Sequence, residues 1–217
     1  MLKRMTTEMA LLYYSDKPHD EGDVEIYAYG LERLISSRLQ FFFFILLGFA
    51  IGELFTTIAF LTAYMTIRTS IGGYHAKTHI RCFFTFFVIY AAHISIIHLI
   101  PIELINSIAL LLAVIPALPI FLYAPLEDIN RPTDDEERKA HRKKSIIKYL
   151  IQTLIIVGFA LTGVLYLIAE SLSSATGILR HVIGFPPFIL LSFSLGQLSA
   201  ACMLVVAKIR DRKRIHS

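Results

Sequence analysis

Long apolar runs broken by short polar interruptions make up most of this chain. Val24–Arg38 mixes polar and apolar positions and predicts an amphipathic interfacial helix. Leu39–Ala50 is a Phe-rich apolar run, Gly52–Glu53 interrupts it, and Leu54–Ile67 resumes it. Either run reaches membrane-spanning length if the first begins near Leu34 and the second extends to Thr69; a re-entrant hairpin is the alternative. Phe83–Ile100 follows, then a break at Pro101–Glu103, then Leu104–Tyr123. A polar connector precedes Ile146–Ala169, and a polar turn over residues 170–177 precedes the last run, Leu179–Ala207. Pro186–Pro187 predicts a kink there. These runs lack the polar–apolar alternation of barrel strands. The expected fold is all-α: a polytopic membrane protein of about six transmembrane helices, one integral membrane domain over residues 1–217.

Composition agrees, with 55% hydrophobic residues among 217. The net charge of +4 matters less than its distribution. Lys and Arg gather in the N-terminal segment (1–38), in the stretch 68–82, in the connector (124–145) and Lys148, and in the tail (208–217). The breaks at 52–53, 101–103 and 170–177 carry none. The positive-inside rule then places all four basic regions, and both termini, in the cytoplasm. The first segment carries charges through its short apolar patch, so no cleavable signal peptide is expected. Two cysteines, Cys82 and Cys202, are too few for a disulfide framework.

The densest polar chemistry is RTSIGGYHAKTHIRC, Arg68 to Cys82. A thiol beside an imidazole is the minimal pair for nucleophilic cysteine catalysis. On a continuous helix, His79 and Cys82 are i, i+3 neighbours, whereas His75 is two turns away, roughly 10 Å. His75 can serve only if the chain bends, and Gly72–Gly73 makes irregular backbone natural just before it. Thr78 is a candidate N-cap, which puts Cys82 near a helix N-terminus beside the positive charge of Arg81 and Lys77. Geometry alone prefers His79.

Two bland or rival readings stand beside this one. His75, His79 and Cys82 fall at i, i+4, i+7 and could ligate a metal on one face, although Ala76 follows the first His, so the H-E-x-x-H base is absent. A carrier that moves a peptide without cutting it is the second, weakened by the lack of a nucleotide-binding loop or an inverted repeat. His93 is expected to be packed and hydrogen-bonded, His98 solvated near the outer edge, and Cys202 a packing residue.

Arg68, Gly72, Gly73, His75, Ala76 and Cys82 form R-x3-G-G-x-H-A-x5-C, which resembles the accessory gene regulator B (AgrB) family of membrane cysteine peptidases. The connector, YAPLEDINRPTDDEERKAHRKKS, is similar to that family's as well. The resemblance implies a quorum-sensing enzyme of the bacterial plasma membrane, with its active site on the cytoplasmic side. Its substrate would be a small AgrD-like precursor, cut through an acyl-enzyme thioester and closed into a cyclic thiolactone or lactone. It implies Cys82 as nucleophile and His75 as base, with no catalytic role for His79. Arg68, Gly72, Gly73 and His79 are candidates for transition-state or substrate support. Arg138, Lys139, Arg142, Lys143 and Lys144 are candidates for contacting the precursor, or for holding anionic lipid. A homodimer is implied by the resemblance alone. No metal, cofactor or nucleic acid is expected.

Overall fold

The computed structural model describes residues 2–15, 20–71, 79–126, 134–172 and 187–215. Among these, regular structure is helical throughout, with no strand. Six segments are long and apolar enough to cross a membrane: Gly22–Ala50, Leu54–Ile71, Ile80–Leu99, Ile102–Tyr123, Asp135–Leu161 and Pro187–Arg210. Large apolar side chains point away from the protein, such as Leu154 (72% exposed) and Phe55 (71%). In water such a surface would aggregate; in lipid it is the solvated face. The chain is a multi-pass membrane protein.

Two compact units divide the chain, residues 1–51 and 52–217. In the first, α1 (Leu2–Tyr14) packs on α2 (Glu21–Ala50) around Ala10, Val24 and Ala28. Tyr13 stacks on Tyr27 with ring centroids 4.6 Å apart. The Asp20 N–H donates to the Asp23 carboxylate at 3.3 Å, which satisfies one free donor at the start of α2. The interfacial stretch and the first apolar run are therefore one 30-residue helix, not two pieces.

In the second unit, Gly52 adopts φ +81°, a conformation that favours glycine, just ahead of α3 (Leu54–Ile71). Next come α4 (His79–Leu99), a 3-10 turn at Ile102–Leu104, α5 (Ile105–Val114), α6 (Ala117–Tyr123), α7 (Asp135–Leu172) and α8 (Pro187–Ile215). Helix α3 lies at the centre, against α7 and α8. Its meeting with α8 depends on small residues: a Cβ on Gly196 would lie 2.5 Å from the Phe60 carbonyl oxygen and 2.9 Å from Ala63 Cβ. Lipid offers little hydrophobic drive between helices, so such close backbone approach holds the pair together.

Three expectations change here. The fourth span is not one helix: it breaks at Ile115–Pro116, because Pro116 has no N–H to continue the ladder. Tyr149 on α7 donates its hydroxyl to the Ala113 carbonyl at 2.8 Å and so satisfies an acceptor beside the break. The described part of the last helix begins at Pro187, and Pro186 of the expected kink lies outside the described residues. The expected start at Leu179 lies outside the described residues. The basic half of the connector is helical and continuous with the fifth span, giving α7 38 residues, about 57 Å at the usual rise. Cys202 is exposed on α8 rather than packed.

Candidate active site

Helices α3 and α4 are joined by a short segment and run antiparallel, which sets a register. Phe60 meets Tyr90 (ring centroids 6.3 Å apart), and one turn further along α3 Tyr64 meets Phe86 (4.8 Å), one turn back along α4. One more turn in the same register sets Arg68 level with Cys82. The side chains agree. Arg68 hydrogen-bonds the Tyr64 hydroxyl, and Cys82 lies within electrostatic reach of that same hydroxyl. Arg68, Tyr64 and Cys82 therefore gather where α3 ends and α4 begins.

Each end has its own electrostatic character. Cys82 is the fourth residue of α4, in the first turn of that helix, and is a free, half-buried thiol. Arg81 beside it is exposed. Across from it the C-terminal carbonyls of α3 form a negative end, which Arg68 in the last turn complements. The Cys82 side chain and the Arg68 guanidinium thus sit at helix ends of opposite sign.

Gly72, Gly73 and His75 lie outside the described residues, as does the side chain of His79, whose backbone opens α4. Thr78, the candidate cap, also lies outside them. The basic connector candidates sit on the first turns of α7: Arg138, Lys139, Arg142, Lys143 and Lys144 are all exposed. Arg142 is engaged, donating to the Phe121 carbonyl at 3.1 Å at the end of α6.

Three groups were not singled out by sequence reasoning. Tyr64 is buried and orients Arg68; its spacing of one turn from Arg68 is the signal that could have found it. Lys148 donates to the Ser70 hydroxyl at 2.5 Å and to the Thr66 carbonyl at 3.4 Å. Ser145 donates to the Ser70 carbonyl at 2.8 Å. The last two join α7 to α3 across more than seventy residues of sequence, and no local pattern announces that.

His93 and His98 behave as structural groups. His93 is 2% exposed, stacks on Phe60 at 4.3 Å and meets Ser192 Oγ at 3.0 Å through Nε2. Ser192 donates its proton to the Phe188 carbonyl, so His93 Nε2 carries the proton in their shared bond. His98 pairs with Glu53 at 3.0 Å, which also accepts from Thr56 at 2.7 Å. That cluster ties the start of α3 to the end of α4, opposite the Cys82 end.

Comparison with known proteins shows the family. The model of the accessory gene regulator B family matches residues 7–195. An AgrB-like protein of Listeria innocua is 30% identical over 145 residues, 67% of this chain and 68% of its own length. No solved structure matches. The matched span covers the helices that carry Arg68 and Cys82 and the whole connector: the chain belongs to the AgrB family, and its role lies in agr quorum sensing.

Proposed function

We propose that the protein is a membrane cysteine endopeptidase that cuts an AgrD-like precursor and closes it into a cyclic signal peptide. The observation that carries this reading is the α3–α4 register, which sets the free thiol of Cys82 level with Arg68 at a helix N-terminus. A thiol for bond cleavage and a fixed guanidinium for an anion are the parts that acyl transfer needs.

The chemistry runs in two halves. His75 takes the Cys82 proton, and the thiolate attacks a backbone carbonyl of the precursor. The oxyanion forms near Arg68, whose guanidinium Tyr64 holds in place. His75 passes its proton to the leaving amine, the C-terminal tail departs, and an acyl-enzyme thioester remains. A Cys thiol or Ser hydroxyl inside the same peptide then attacks that thioester. Its proton returns through His75 to the Cys82 sulfur, and the ring is closed. Exchange of one thioester for another is roughly neutral, whereas its formation from an amide is uphill. Removal of the tail must therefore draw the reaction forward, and water must be kept from the thioester. A site at the membrane edge suits that requirement.

In the same reading the site faces the cytoplasm of a bacterial plasma membrane, below the basic face of α7. The test is co-expression with an AgrD-like precursor peptide, followed by mass spectrometry of the precursor, its products and the enzyme. Cleavage with an acyl adduct on Cys82 supports the reading. Unchanged precursor on both sides of the membrane rejects it, and intact precursor found outside favours a carrier.

A further inference from the structure

Three residues on one stripe of α7 act on the ends of other helices. Arg142 donates to the Phe121 carbonyl near the end of α6. Ser145, fully buried, donates to the Ser70 carbonyl of α3. Lys148 reaches both the Ser70 hydroxyl and the Thr66 carbonyl. They are spaced three residues apart, so they share a face. Close by, the Leu126 N–H donates to the Ile71 carbonyl at 2.9 Å, which brings the start of the connector to the same helix end.

Lys148 stands out among these. It is a partly buried ammonium within a candidate span, and its described partners are neutral oxygens. Charge placed there is costly and needs a reason. Its complement is the negative end of α3, whose last-turn carbonyls it and its neighbours on α7 and the connector engage. Arg68 lies on that same last turn, between Thr66 and Ser70.

We infer that Lys148, seated by Ser145, is a positioning residue for the cleavage site: it locks the end of α3 so that Arg68 stays level with Cys82. The residue touches no reacting atom and acts through Ser70 and the α3 backbone. This rests on the proposed peptidase reading for its effect on rate, but not for its effect on helix register. It also divides the basic residues of α7 by task, with Lys148 and Arg142 holding helices while Lys139, Lys143 and Lys144 remain exposed to meet an acidic partner.

The experiment has two readouts on membrane-inserted protein. The first is register. Arg68→Cys, in a Cys202→Ala background, is oxidised with copper–phenanthroline, and its disulfide with native Cys82 is measured by mass spectrometry. Lys148→Met in that background is expected to slow cross-linking about fivefold, because a disulfide tolerates little displacement. The second is kinetics on the precursor with Arg68 and Cys82 intact. Lys148→Met is expected to lower the saturated cleavage rate about tenfold while the half-saturating concentration moves less than about twofold, since small misplacements cost rate. Lys148→Arg keeps a cationic donor and is expected to recover most of the rate. Ser70→Ala combined with Lys148→Met should cost no more than the worse single change, because both act through one contact. Unchanged cross-linking in Lys148→Met overturns the proposal, as does an effect confined to the half-saturating concentration. If the unaltered protein never cleaves precursor, the peptidase reading falls and the cross-link alone decides the register claim.

Discussion

Cys82 and its histidine partner are the residues on which the proposed chemistry depends. Cys82→Ala is expected to abolish tail release while leaving the protein in the membrane, and exposed Cys202→Ala to leave cleavage within about twofold, as for surface sites away from function. Mass spectrometry of co-expressed precursor measures both. The family motif points to His75, whereas helical spacing favours His79, so the two alanine variants settle the base. His75→Ala should lose nearly all activity and His79→Ala much less; the reverse ranking would mean an unbroken helix through Thr78. Tyr64→Phe removes only the hydroxyl that Arg68 binds. A loss of about tenfold in saturated rate is expected, below the 10²–10³ typical of deleting a direct oxyanion donor. Cys82 and Arg68, the proposed nucleophile and anion-binding group, were legible as residue types at a family spacing. Tyr64 was not, because an aromatic in an apolar helix reads as core until its neighbour is known.

At the scale of helices, the crossing of α3 with α8 is the tightest joint. Gly196→Ala pushes a methyl to 2.5 Å from the Phe60 oxygen, where backbone must move. A destabilisation of about 1–3 kcal/mol is expected from such overpacking. Gly158→Ala, with open space around it, should be silent in the same unfolding measurement in detergent. Helix α7 supplies the second test at this scale. Reversing the exposed Lys143 and Lys144 to Glu should raise the precursor concentration for half-maximal cleavage and leave the saturated rate nearly unchanged. The attraction acts over a Debye length of about 8 Å at physiological salt, so the difference from wild type should shrink as salt rises. A correctly inserted variant with unchanged concentration dependence at low salt would remove substrate steering from this helix. The extent of α7 itself was hidden in the sequence. Its polar first half resembles a loop, since charge density conceals helical continuity when only apolar runs are counted.

For the molecule as a whole, the spacing of basic clusters predicts which ends face the cytoplasm. In a background without native cysteines, a cysteine at Lys143 should react with a membrane-impermeant thiol reagent only from the cytoplasmic side, and one at Glu103 only from outside. Labelling of both from one side would overturn the alternation. The sequence by itself determined that this is a helical membrane protein with six apolar crossings, because a bilayer demands about 20 apolar residues per span whatever the packing. It also marked the chemical stretch from Arg68 to Cys82, because charged and polar groups at a membrane edge stand out against lipid-facing runs. Tertiary structure decided what those groups meet. The register of α3 against α4 sets Arg68 level with Cys82, with Tyr64 one turn away within reach of both. A lysine from α7, 78 residues beyond Ser70, holds the end of α3. Such contacts depend on helix register and on which small residues let backbones approach, and these are properties of pairs of helices rather than of any single segment.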